Sequence, residues 1–206
     1  MESYRGSLLL LLLFPIAGAG QTPVPTLLQA VEAVYSKAEA MHARFEIETV
    51  NQAIGEIEVE KGEIFVSRPN RMRWEYSEPA GKVLLLDGAY QWMYLPEEGQ
   101  AFRGEQNETS SEVTLALLAD PGTLQKRFEV MAEAAADPTA PVGLAFLRLQ
   151  PRERTEDFKY VVLGVEAASG KVLAMNVVDT FDNITKIRFS ELELNPRLSE
   201  KIYELK

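Results

Sequence analysis

Apolar residues change their spacing along this chain, and each change marks an element. Leu27, Val31, Val34, Ala38 and Met41 recur at steps of three and four, which places them on one stripe of a helix. Thr26 with Gln29 three positions on fits a capping box at its start. Glu32, Lys37 and Glu39 fall off the stripe, so one face of the helix is expected to pack. From Ala43 the period drops to two. Phe45 and Ile47 alternate with Arg44, Glu46 and Glu48, and Ile57 and Val59 alternate with Glu56, Glu58 and Glu60. Such alternation predicts antiparallel strands with unlike faces. Arg68-Pro69-Asn70 interrupts the ladder, because proline lacks a donor and restricts the residue before it. Beyond it, Met72, Trp74 and Tyr76 point one way and Arg71, Arg73 and Glu75 the other. Glu78-Pro79-Ala80-Gly81 reads as a turn and Val83 to Leu86 as a strand. Asp87-Gly88 signals a two-residue hairpin, after which Tyr90, Trp92 and Tyr94 share a face.

Residues 97–110 are rich in Glu, Gln, Gly and Ser and read as a loop. Val113, Leu115, Leu117 and Leu118 predict a second helical segment before Asp120-Pro121-Gly122, followed by a turn toward Phe128. Ala132 to Pro141 reads as another surface loop. Strand signals resume at Leu144 to Leu149, Tyr160 to Val165 and Val172 to Val178, with turns at Ser169-Gly170 and Asp182-Asn183. In the last long strand Ile187 and Phe189 hold odd positions whereas Leu192 and Leu194 hold even ones. That parity shift predicts a β-bulge near Ser190 or Glu191. The sum is nine or more strands, a leading helix and one helical insertion. This is a mainly β chain with helices (α+β), whose apolar stripes are all used by one strongly curved antiparallel sheet with helices on its concave side.

The first residues are set apart from that fold. Arg5, the apolar run Leu8 to Phe14 and Ala17-Gly18-Ala19 form the pattern of a cleaved secretory signal over residues 1–19. The run is shorter than the roughly 20 apolar residues a membrane span needs. Residues 20–206 are then expected to form a single exported domain. The chain has no cysteine, so no disulfide and no lipidated cysteine are expected. A formal net charge of −10 argues against a nucleic-acid groove and against adhesion to an anionic membrane.

The catalytic inventory is thin. His42 is the one histidine, and its place at the helix-to-strand junction favours a structural role. No phosphate-binding loop, dinucleotide fingerprint, HExxH or GxSxG pattern occurs. No cofactor and no metal are expected, and the chain is not expected to be an enzyme. Asp179 and Asp182 form a carboxylate pair on paper, but Asp182-Asn183 is a more ordinary hairpin turn. What remains is apolar surface with an aromatic emphasis: Met72, Trp74, Tyr76, Trp92 and Tyr94 cluster in two neighbouring strands. Composition alone fits both an ordinary core and a cavity for an apolar ligand.

The stretch Phe65 to Pro79, with Arg68-Pro69 before Met72, Trp74 and the closing Pro79, resembles the signature of the outer-membrane lipoprotein carriers, the LolA family. Asp87-Gly88 with Trp92-Met93-Tyr94-Leu95-Pro96 is similar to a second block of that family. His42 to Phe45 and Asp179 to Phe189 look like two weaker ones. The resemblance implies an incomplete antiparallel β-barrel with a helical lid over a hydrophobic cavity. It also implies a monomeric periplasmic shuttle, which takes acylated lipoproteins from an inner-membrane ATP-driven release complex to an outer-membrane receptor. By the same resemblance Arg68 is the lid latch and Val113, Leu115, Leu117 and Leu118 form the lid. Met72, Trp74, Tyr76, Trp92 and Tyr94, with Leu85 and Ile64, are then the acyl-chain lining. Met72 stands where the family often has an aromatic. After a strand holding Ile202, Tyr203 and Leu205 the chain ends at Lys206, without the extra C-terminal hairpin of some members, which implies a simpler branch. With no cysteine to lipidate, the chain does not fit the pathway's receptor. A lipid-binding or envelope-sensing module of the same fold is the alternative.

Overall fold

The computed structural model describes residues 22–105, 124–134, 141–156 and 158–204. The expected signal segment and the expected lid helix at Val113 to Leu118 lie outside the described residues. One helix, α1 (Val24–Tyr35), leads into six strands: β1 (Ala40–Asn51), β2 (Glu56–Ser67), β3 (Arg71–Glu78), β4 (Val83–Leu86), β5 (Tyr90–Leu95) and β6 (Gln100–Glu105). One helical turn, α2 (Leu124–Arg127), precedes β7 (Phe128–Glu133), β8 (Leu144–Pro151), β9 (Tyr160–Glu166), β10 (Lys171–Val178) and β11 (Ile184–Leu194). A 3-10 turn at Glu200–Tyr203 follows, where a strand was expected.

The eleven strands form one antiparallel sheet in the order β6-β5-β4-β3-β2-β1-β11-β10-β9-β8-β7. The first and last strands of the chain therefore pair at its centre, with Phe45 opposite Phe189. Each half is a plain meander of hairpins running outward from that pair. Joining β6 to β7 would close a barrel, but no ladder joins them among the described residues, so the sheet is strongly curved and unclosed.

The concave side holds the main core. Leu27, Leu28, Val31 and Tyr35 of α1 are buried there with Leu147, Leu163, Val165, Val172 and Met175 of the β7–β11 half. The Tyr35 hydroxyl accepts a hydrogen bond from the Val172 N–H at 3.0 Å, and burial pushes its pKa up to about 12. The helix starts earlier than the capping box suggests. Pro23 is its N-cap and Pro25 sits in the first turn, where a fixed φ suits helix and no N–H is missed. It ends at Tyr35, and Met41 of the apolar stripe belongs to β1.

The bulge lies where parity placed it. His42 pairs with Glu193 and Arg44 with Ser190, so Ala43 spans both Glu191 and Leu192, and Glu191 takes φ 51°. Two loops of the sequence reading contain parts of edge strands. Residues 97–110 contain β6, and β7 runs on to Glu133 inside the segment read as irregular. Ile57 and Val59 face outward at the far end of the β1–β2 hairpin, while Glu60 faces the concave side opposite Ile47.

The carboxylates at Asp179 and Asp182 make a turn. Asp179 Oδ1 accepts from the N–H groups of Phe181 and Asn183, both at 2.8 Å, and Oδ2 accepts from Asn183 Nδ2 at 2.8 Å. Asp182, at φ 68°, pairs with Lys159. Burial alone raises the pKa of Asp179, but the hydrogen bonds from Asn183 and Phe181 outweigh it and hold the carboxyl below the usual range. A depressed carboxylate stabilises the fold above its ordinary pKa and loses that contribution as pH falls through the folded value. Asp179→Asn should therefore cost about 1 kcal/mol at neutral pH, low for a charged acceptor because the group is near water. That deficit should shrink below about pH 4, the ordinary carboxylate range. Urea midpoints across this range check it, and an unchanged deficit would count against the turn-cap role.

Candidate functional site

Ladder partners fix which side chains share the concave face. Trp74 lies across from Ile64 and Leu84, Met72 from Val66 and Leu86, and Tyr76 from Gly62. Phe45 is opposite Gly62 on one side and Phe189 on the other. Because Gly62 has no side chain, the Phe45 ring can pass over it. A Cβ there would stand 2.7 Å from Phe45 Cζ and 2.1 Å from the Glu75 carbonyl oxygen. Phe45 thereby meets Trp74 and Tyr76 edge to face, with ring centroids 4.7 and 5.1 Å away, and Phe189 approaches Trp74 at 6.5 Å. The expected lining residues Ile64, Met72, Trp74 and Tyr76 are thus together, buried, and part of the same core as the inward face of α1. The rings fill the space between them, so room for a fatty chain requires this packing to part.

One polar atom in the cluster is unsatisfied. Trp74 is only 5% exposed, and among the described residues its buried Nε1 has no hydrogen-bond acceptor. One end of the cluster is a charged lip. Glu60 turns inward and its Oε1 lies 2.5 Å from Lys82 Nζ, which sits 4.4 Å from the centre of the Tyr76 ring. Burial, reinforced by the Glu60 and Glu58 carboxylates, holds the Tyr76 hydroxyl above its usual pKa.

The loop between β2 and β3 carries Arg68. Its Nη2 donates to the carbonyls of Tyr35 and Ser36 at 3.2 and 3.5 Å, and Nη1 lies 3.8 Å from Glu39 Oε1, among other contacts. Those carbonyls stand at the C-terminal end of α1, where a cation complements both the lone pairs and the helix dipole, and that of Tyr35 also accepts from the Ala38 N–H at 3.1 Å. Arg68 is clamped to the end of this helix.

Leu85, Trp92 and Tyr94 lie elsewhere. Leu85 pairs with Arg73 and Trp92, so all three share the convex side with Tyr94, which pairs with Val83. There Val83, Leu85 and Trp92 are covered by Leu198, Ile202 and Tyr203 of the C-terminal segment. Arg71 bonds Glu200, Arg73 Nη1 donates to the carbonyls of Ile202 and Glu204 at 3.3 Å, and Ser67 bonds the Tyr203 hydroxyl. Trp92 Nε1 donates to Asp87 Oδ2 at 2.8 Å. The aromatic group of the sequence reading is thus split between two faces. Sequence reasoning did not assign Phe189, Gly62, Glu60 or Lys82 to the site. Only Gly62 carried a signal, since a glycine inside an alternating strand marks a bulge or a close approach.

A cleft of about 390 Å³ lies apart from this face, lined by Gln150, Arg152, Arg154, Phe158, Lys159 and Thr180. Among the described residues no cluster of metal-ligating side chains forms, and no helix is long and apolar enough to cross a membrane.

The described residues thus form an unclosed antiparallel barrel with a helix and an aromatic strip on its inner face. Residues 36–206 match the model of the family described as outer membrane lipoprotein carrier protein LolA, and the chain belongs to that family. Outer-membrane lipoprotein carrier proteins from Methylobacillus flagellatus and Nitrosomonas europaea are 23% and 25% identical. The first match covers 85% of this chain and 82% of the relative, the second 88% and 87%. An uncharacterized conserved protein from Thermus thermophilus shares the fold at a TM-score of 0.52 and 13% identity, over 87% of this chain and 91% of that one.

Proposed function

We propose that this protein, exported to the periplasm with residues 1–19 removed, carries lipoproteins by holding their acyl chains against the concave face. It would receive them from an inner-membrane ABC-type release complex and deliver them to the outer membrane, without catalysis. The observation that supports this most directly is an inner face lined by Ile64, Met72, Trp74, Phe45 and Phe189 in a barrel left open between β6 and β7.

The energetics suit a shuttle. Two or three acyl chains in water carry a gross penalty of tens of kcal/mol at about 0.8 kcal/mol per CH₂. A site that recovered all of it would not let go. Parting the Phe45–Trp74–Tyr76 contacts on entry offsets part of that affinity, and releasing Arg68 from the end of α1 adds to the offset. Arg68→Leu should keep the fold at a cost of about 1–3 kcal/mol, yet pass cargo on abnormally. Transfer at the wild-type rate in a two-component assay would remove the latch.

The direct test is to recover the mature chain from a periplasmic extract and identify acylated partners by mass spectrometry. Enrichment of several lipoproteins with intact acyl groups is expected. A chain that returns without any acylated partner overturns the proposal.

A further inference from the structure

We propose that the Trp74 indole N–H reads the carbonyl oxygen of the acyl linkage, so that the concave face selects ester-linked acyl chains over plain hydrocarbon. This rests on the carrier reading and names what that site recognises beyond greasy bulk.

A buried donor without an acceptor is costly, and native proteins rarely leave one unmet. Among the described residues Trp74 Nε1 is such a donor; its neighbours Ile64, Phe45 and Phe189 carry no side-chain acceptor, and the weak acceptor sulfur of Met72 does not bond it. The backbone groups of β3 do not help, because they are engaged in ladders with β2 and β4. A phenylalanine would fill much of the same space without an orphan. The contrast is within the molecule: the other indole, Trp92, has its N–H held by Asp87.

Position points to the partner. Trp74 lies two residues along β3 from Tyr76, about 7 Å on a strand, and Tyr76 marks the lip formed by Glu60 and Lys82. An amphiphile entering with its polar end at that lip places its first carbonyls a few bonds inside, at the depth of Trp74. The oxygen supplies the missing acceptor, and the hydrocarbon beyond it runs along Ile64, Met72 and Leu86. Ether-linked chains of the same length offer the same apolar area with a much poorer acceptor.

The test uses the mature chain with the two indole nitrogens labelled, titrated with a diacylglyceryl cysteine and with its dialkyl ether counterpart of equal chain length. The ester form should bind about 3- to 10-fold more tightly, the range of one neutral hydrogen bond. It should also move the Trp74 indole proton downfield while the Trp92 signal stays put. Trp74→Phe should bind both ligands and erase the ratio. Equal binding of the two ligands to the wild type with an unmoved Trp74 signal, or a ratio that survives in Trp74→Phe, overturns this inference and leaves the carrier proposal standing. Failure of both ligands to bind takes the carrier proposal down with it.

Discussion

Gly62→Ala should remove at least about 3 kcal/mol of folding stability, beyond the usual range for adding one methyl group to a packed interior. The added Cβ would stand 2.1 Å from the carbonyl oxygen of Glu75, and backbone in a paired strand has little freedom to retreat. On its other side is the Phe45 ring, already locked between Trp74 and Tyr76. The site is also where the β2–β3 register shifts, between Lys61 and Gly62, so a displaced strand would carry the inner face with it. Gly104 in β6 is the control, because a Cβ there meets nothing within 4 Å. Gly104→Ala should change stability by less than about 0.5 kcal/mol. Urea denaturation of the two variants decides the matter, and a loss below about 1 kcal/mol at Gly62 would mean that the close approach is not tight.

Phe45→Ala is expected to cost about 3–5 kcal/mol, the range for deleting a buried aromatic ring. Phe45 is 3% exposed and touches the rings of Trp74 and Tyr76, so its neighbours have no simple way to collapse into the gap. An apolar void of this kind stays dry and accepts apolar ligands. If the concave face is the acyl site, the variant should be stabilised by a long-chain fatty acid more than the wild type is, because the chain no longer has to part the rings. Thermal shifts with and without ligand measure this through the linkage between occupancy and stability. A fatty acid that leaves the melting temperature of both proteins unchanged would place binding elsewhere.

These two residues also show how far the chain could be read. Phe45 follows from strict alternation in β1, and so do the inner positions 72, 74 and 76 of β3. The bulge at Glu191 is legible because a one-residue insertion leaves a mark in the parity of apolar positions. The edge strands are different. In β6 the one large apolar residue, Phe102, is half exposed, and the strand exists because β5 offers it a ladder. Its own pattern says loop. β7 depends on β8 in the same way.

The misplaced aromatic group has another cause. Trp92 and Trp74 look alike in sequence, and only the pairing sums across two hairpins separate them. Trp74 pairs with Leu84, which in turn pairs with Met93, and this sends Leu85 and Trp92 to the outside. The outside is then buried by Ile202 and Tyr203, residues whose docking no local pattern announces. Arg68 is singled out through the family resemblance alone, since its contact with the end of α1 joins residues more than thirty positions apart.

The pairing of β1 with β11 has a consequence for how the chain comes to be folded. As the chain folds, the N-terminal meander can assemble hairpin by hairpin, while the edge of β1 that will receive β11 waits for nearly the whole remaining chain to arrive. That last ladder brings Phe45 to Phe189 from opposite ends of the domain, a large entropic closure of the kind that slows β-rich proteins. Until it forms, an unpaired strand lies open to other chains, the condition under which partly folded polypeptides aggregate.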